Sequence, residues 1–170
     1  EFLVFFDDDD ISFPERIETQ INRILSYEGE FANGAPVVCH SARFVHYPGG
    51  NSRLEHTIGQ TENQLAPNGF AVAERVLLGT RLKNGYGACP TCSQMARLDT
   101  YKLACGFDPE FRRSEDTELI VRWAKLGCHF VGISTPLVNQ KMTKTSDKNL
   151  VNEGYYKQLV LKKHRDVADK

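Results

Sequence analysis

The sequence has no surplus of positive charge, no long hydrophobic run and no even set of cysteines, and each lack removes a class of function. Twenty-one Lys and Arg against twenty-two Asp and Glu give a formal charge of -1, so no bulk positive field exists to hold a polyphosphate. Nucleic acid is therefore excluded as a first partner. No apolar stretch reaches the roughly 20 residues that a membrane-crossing helix needs. The expectation is a chain that is soluble, cytoplasmic, or at most peripheral to the inner face of a membrane. Five cysteines at irregular spacing do not form a secreted disulfide framework, and a reducing compartment fits them better. There is no internal repeat and no linker rich in Pro, Gly or Ser. What remains is an ordinary globular composition, 41% hydrophobic and 25% charged over 170 residues, the size of one domain with its own core.

The apolar run Phe2–Phe6 ends in acids and predicts a strand buried on both faces of a parallel sheet. A central strand rarely opens a domain, so preceding strands are expected upstream. Ser12 and Glu15 in capping-box spacing, Pro14, and Ile17, Ile21, Ile24 and Leu25 predict a helix stopped by Gly29. A strand over 36–45 follows. The polar stretch 47–67 reads as a long loop, either a binding loop or lid or a mobile surface excursion. A short helix over 70–82 is broken by Gly85 and Gly87, a strand spans 93–97, and a helix over 99–105 ends at Gly106. Another helix starts near Ser114 or Asp116 and buries Leu119, Ile120, Trp123 and Leu126. A strand over 128–134, an extension over 136–138 and an amphipathic helix from Asn149 complete the chain.

Asp7, Asp8, Asp9 and Asp10 crowd four like charges, a repulsion that a cation relieves; the alternative is a solvated acidic turn that caps the next helix. In extended chain, side chains two apart share a face, so Asp7 and Asp9 converge on one hard ion, Mn or Mg, while Asp8 and Asp10 point elsewhere. Asp10 or Ser12 would cap the next helix. An EF-hand loop requires Gly at the sixth position, where Ser12 stands, and that reading fails. An apolar strand followed by Asp8-x-Asp10 also resembles the haloacid dehalogenase class of phosphohydrolases.

A more specific resemblance emerges downstream. Ser93-Gln94-Met95-Ala96-Arg97, Tyr101, Cys105-Gly106-Phe107-Asp108-Pro109 and Ser114-Glu115-Asp116-Thr117-Glu118-Leu119 follow the acidic run in order. Gly127, a strand, Pro136-Leu137 and Thr143 come after them. This ordered set resembles the family 2 glycosyltransferases across nearly the whole chain. The resemblance implies an α/β fold of the GT-A type, a mixed sheet flanked by helices, lacking the N-terminal half that holds the nucleotide base. It implies a partial catalytic domain over 1–148, with 149–170 as a helix packed on it or extending from it. It further implies inverting transfer of a sugar from a nucleotide-sugar donor to a glycan or lipid-linked acceptor, in polysaccharide or glycoconjugate synthesis. Asp9 becomes the direct metal ligand, Asp7 lies near the ribose or the metal shell, and Asp8, Arg97 and Glu115 join the donor or acceptor contacts. Asp116 becomes the general base.

Arg112 and Arg113 are further candidates for the diphosphate, with Lys141 and Lys144 in a stretch that closes over the nucleotide in similar enzymes. The five histidines lack metal-ligand spacing. Cys89-Pro90-Thr91-Cys92 leaves open a different class, a redox or metal-binding module, although no second closely spaced pair exists to complete a zinc site. The terminal helix, with Tyr155, Tyr156 and a basic end, would dock on the domain or touch a membrane surface peripherally.

Overall fold

The computed structural model describes residues 1–142 and 150–169, which leaves Thr143 and Lys144 outside the described residues. Six strands and six α-helices follow one another as β1 (Phe2–Val4), β2 (Ile11–Ser12), α1 (Arg16–Glu30), β3 (Val37–His46), β4 (Ser52–Glu55), α2 (Phe70–Leu78), β5 (Gln94–Arg97), α3 (Leu98–Leu103), α4 (Glu115–Lys125), β6 (His129–Lys141), α5 (Leu150–Lys163) and α6 (Arg165–Ala168). The strands form a curled mixed sheet in the order β1-β5-β3-β6-β2, with β4 paired to β3. β3 and β6 run parallel, and the other pairs are antiparallel.

Side-chain alternation along the strands divides the core into two layers. Val37, Cys39, Met95, Val131 and Ile133 face α1, where Ile24 and Tyr27 meet them. Val38, Ala96 and Phe130 face the other way, onto Val72 and Ala73 of α2, Tyr101 of α3, and Leu119, Ile120 and Trp123 of α4. The Trp123 indole packs edge-on against Tyr101 and donates to the Thr100 carbonyl at 2.9 Å, so the ring is buried without leaving its N–H unpaired.

Several expectations are corrected. β1 stops at Val4, is half-buried, and lies at the edge of the described sheet, paired antiparallel with β5. The foreseen strand buried in a parallel sheet is therefore not what these residues form. The Ser12 side chain does not cap α1; its Oγ accepts from Arg16 Nη1 at 2.7 Å, and the helix runs through Gly29 to Glu30. α2 ends at Leu78, where Gly79 adopts φ +72°. Leu126 is exposed rather than core. Pro136 does not break the chain into two strands, because β6 continues past it with an irregularity opposite Ser41–Arg43 of β3.

The stretch over 47–67 holds β4 and then tucks inward. Thr57, Ile58 and Gly59 are buried, and Thr57 Oγ1 donates to the Ala88 carbonyl at 2.7 Å. Here backbone meets backbone. A Cβ on Gly132 would stand 2.4 Å from the Ile58 carbonyl oxygen, so only glycine lets this segment lie on β6. Gly132→Ala is expected to cost about 1–3 kcal/mol through overpacking, read as a lower denaturant midpoint in chemical unfolding.

The C-terminal helices are clamped to α4 through one buried carboxylate. Glu118, fully buried, takes the Arg122 guanidinium in two-pronged fashion, with Nε at 2.8 Å and Nη2 at 2.6 Å, together with Lys163 Nζ at 2.8 Å and His164 Nε2 at 3.2 Å. Lys163 also reaches Asp108 at 2.5 Å. Among the terminal residues Val160 and Val167 are core, whereas Val151 and Tyr155 face solvent. Burial alone would raise the Glu118 pKa, but the hydrogen bonds from His164, Arg122 and Lys163 outweigh it and hold the carboxyl down to about 2. A depressed carboxylate contributes stability above its unfolded range and loses it as pH falls toward the folded value. Glu118→Gln should therefore lower stability by about 3 kcal/mol at neutral pH, because removing one partner strands the buried cations. Thermal melts should show the gap between variant and wild type closing between about pH 4.5 and pH 2.

Candidate active site

The acidic run is a turn, not the end of a strand. The Asp10 amide donates to the Asp7 carbonyl at 3.3 Å, which puts Asp8 and Asp9 at the corners, exposed. In a turn, residues three apart come together, where in a strand residues two apart would. The acids whose ligand atoms come together with a third group are accordingly Asp7 and Asp10, where the expectation had paired Asp7 with Asp9. Carboxylate oxygens of Asp7 and Asp10 and the Cys92 sulfur all lie within 4.8 Å of one another. The turn is anchored on both sides. The Arg16 guanidinium reaches back to the Phe5 carbonyl at 3.1 Å, and Asp10 Oδ1 accepts from the Lys141 amide of β6 at 2.8 Å. Asp10 Oδ2 is buried and has no hydrogen-bond partner among the described residues.

Arg16, almost wholly buried, organises a polar seam behind this turn. Its Nε donates to Gln20 Oε1 at 3.0 Å, and Gln20 Nε2 donates to the Ser93 carbonyl at 2.8 Å. Tyr101 Oη donates to Gln94 Oε1 at 2.9 Å, and Gln94 Nε2 meets His40 Nε2 at 3.2 Å. Burial pushes the His40 pKa down to about 3, so the ring is neutral at ordinary pH and serves as the acceptor for that amide.

Electrostatics tie the acidic turn to the start of α4. Burial raises the Asp7 pKa first, with Asp10, Asp9 and Asp8 adding to the effect and Arg16 opposing it. Asp10 is also raised, first by burial, while its bonds from Lys141 and Cys92 and the Arg43 charge pull the other way. The Glu115 carboxyl is raised by burial above all, then by Asp116 and by Asp7 across the gap. Asp116 Oδ1 accepts from the Thr117 amide at 2.6 Å and from Thr117 Oγ1 at 3.2 Å, which fixes the carboxylate at the helix entrance. Ser114, before it, sits at φ +58° in the left-handed region, and this bend sets the direction in which α4 begins.

Asp116 lines a cleft of about 290 Å³ together with Arg43, Ile58, Arg75, Val76 and the 87–90 loop. That loop carries Cys89 on the cleft side and continues to Cys92, which faces the acidic pair. Asp7, Glu115 and Asp116 thus gather about one region. Arg97 does not join them: the register Phe2↔Arg97 puts it at the opposite end of β1, where it forks onto Glu28 at 2.7 and 2.6 Å and covers the Phe2 ring. Arg112 is exposed, and Arg113 lies close enough to Glu115 to lower its pKa. Lys141 contributes its backbone amide rather than its ammonium.

Sequence reasoning missed Arg43, Arg75 and Arg16. Arg43 interrupts an apolar strand and Arg75 an apolar helix, and a charge placed out of pattern was the available signal. It also expected the polar stretch after Tyr47 to act as a binding loop or lid, whereas its inner half is the fixed wall that carries Ile58.

No protein family matches the chain on comparison with known families, and no curated protein matches it. No described helix is long and apolar enough to cross a membrane.

All five cysteines are unpaired. Burial pushes the Cys39, Cys89, Cys92 and Cys128 thiols up to about 12, so at neutral pH they are protonated and weak nucleophiles. This chemistry is opposite to that of a redox C-x-x-C, whose thiolate must be accessible and depressed. Iodoacetamide at pH 8, followed by mass spectrometry, should label exposed Cys105 first and leave the other four largely unmodified; fast labelling of Cys89 or Cys92 would reverse this assignment.

Proposed function

We propose that this chain is part of a GT-A-type, metal-dependent glycosyltransferase resembling family 2, which moves a sugar from a nucleotide-sugar donor to a hydroxyl of a glycan or lipid-linked acceptor with inversion. The observation that carries the reading is the gathering of Asp7 and Asp10 from the turn, and Glu115 and Asp116 from α4, around one region beside a cleft. The ordered motifs support it further.

Two carboxylates with an orphaned buried oxygen suit a hard cation such as Mn or Mg, whose remaining positions water and phosphate oxygens can fill. When bound, such an ion supplies Lewis-acid stabilisation of the departing diphosphate. The Cys92 thiol, protonated at neutral pH, lies beside the pair and lowers the Asp10 pKa rather than ligating. Asp8, exposed beside the pair, is left free to contact the donor.

Asp116 is held by Thr117 at the mouth of the cleft and takes the proton of the acceptor hydroxyl. The hydroxyl oxygen bonds to the anomeric carbon as the carbon–oxygen bond to the diphosphate breaks, and the electron pair leaves with the nucleotide. One displacement from the opposite face inverts the anomeric centre. Glu115, beside Asp116 and within electrostatic reach of Asp7, orients the groups between them. The phosphohydrolase alternative would need Asp8 and Asp10 to converge, and Asp8 stands exposed at the turn corner.

Calorimetry with UDP-sugars should show Mn-dependent binding that Asp10→Asn abolishes and Asp9→Asn retains; loss with Asp9→Asn alone would restore the strand-like pairing and sink the turn-based site. Because the pKa values of Asp7 and Asp10 are raised, that binding should be complete near neutral pH and weaken earlier on acidification than at ordinary carboxylates. Asp116→Asn should slow transfer by about 100-fold or more while donor binding persists. Equal loss of both would remove Asp116 from the role of base.

A further inference from the structure

The cleft beside Asp116 contains two guanidinium groups that nothing in the described chain neutralises by direct contact. Arg43, on β3, is 9% exposed; its Nε donates to Gln140 Oε1 at 2.7 Å, and its Nη1 is buried without a hydrogen-bond partner. Arg75, on α2, is half-buried and donates from Nε to the Gly85 carbonyl at 2.9 Å. Neither arginine forms an ion pair among the described residues, in contrast with Arg53, Arg97 and Arg122, which do. A buried, unpaired cation with an unsatisfied N–H is a standing cost to the fold. It makes sense where an incoming anion completes the coordination.

We propose that this cleft takes a sugar bearing an anionic substituent, carboxylate or phosphate, as the acceptor, with Arg43 and Arg75 holding the charge and Asp116 facing the reacting hydroxyl. This rests on the transferase reading for the word acceptor, but the charged cradle stands on its own geometry. The lining of the cleft combines three kinds of group. Asp116 repels a second negative charge and welcomes a neutral hydroxyl. Arg43 and Arg75 attract an anion, and a planar guanidinium fits two oxygens of a carboxylate or phosphate at once. Ile58, Val76 and Ile120 offer apolar surface for the C–H face of a sugar ring. About 290 Å³ lies at the small end of ligand clefts, room for a single ring rather than a nucleotide. Cys89 lies within electrostatic reach of all three charges, Asp116, Arg43 and Arg75. Opposite charges in one small cleft favour a ligand that carries its anion and its reacting hydroxyl at different positions of the ring.

Ligand-observed NMR competition on the 170-residue protein compares methyl glucuronide and methyl glucose 6-phosphate with methyl glucoside. At least one charged glycoside is expected to bind about tenfold more tightly, the scale of one charge-assisted hydrogen bond, and Arg75→Met should erase that advantage. Arg43→Met should do the same where its melting curve shows a folded protein, and Arg75, at the surface of the cleft, keeps the test decisive where it does not. Equal binding of charged and neutral glycosides, or a preference that survives Arg75→Met, overturns the proposal. A charge preference seen only between UDP-glucuronate and UDP-glucose overturns the acceptor assignment and moves the anion to the donor. Mn-dependent UDP-glucose binding to the wild type is measured alongside. Its absence, with the glycoside preference intact, supports the cradle and overturns the transferase reading alone.

Discussion

The buried guanidinium of Arg16 is the constraint around which the site is arranged. An enclosed cation must place its donors on the protein, and this one engages all three of its nitrogens by joining segments far apart in sequence: Ser12 and Gln20 beside it, Phe5 where β1 gives out, and Gln94 at the head of β5. Its acceptors are neutral, so its charge is left to act on the acids above, where it opposes the upward shift of Asp7. It offsets part of the repulsion at Asp7, and the Arg43 charge does the same at Asp10, while both carboxyls remain raised. Arg16 also ends the first strand early, since the carbonyl of Phe5 is turned toward α1 instead of toward a neighbouring strand.

This also explains which parts of the architecture were legible in the sequence. Helix α4 was readable because Leu119, Ile120 and Trp123 fall at helical intervals and all are core. The mixed α/β class, the strand over β3 and the turn at Gly106 were readable for similar local reasons. Which acids converge was not. That depends on whether residues 7–10 are extended or turned, and the decision is made by Arg16, by the Lys141 amide 131 positions further on and by Cys92, none of which lies within the local pattern. Arg97 shows the opposite failure. Its place in a motif suggested the donor site, but strand polarity carries it to the far end of the sheet, where Glu28 takes both prongs of its guanidinium.

Neighbouring acids at the start of α4 have different tasks. At its start an unusual backbone angle at Ser114 and a tight Asp116–Thr117 contact fix where a carboxylate points. Three residues on from Ser114's neighbour Glu115, Glu118 is fully interior, paired with the Arg122 and Lys163 cations and hydrogen-bonded to His164 Nε2. A rigid foot beneath the Asp116 carboxylate holds it in position without requiring any ligand to do so, which is what the role of base proposed for it demands.

The acidic turn spans the sheet from rim to rim, because β1 and β2 lie at opposite ends of the strand order. Four strand spacings amount to about 19 Å if laid flat, and the seven peptide steps from Val4 to Ile11 can stretch to about 24 Å. The curl of the sheet brings the two rims closer than that, and this leaves the segment the slack to fold into the turn between Asp7 and Asp10. The acids therefore stand at the point where one border of the sheet is tied to the other.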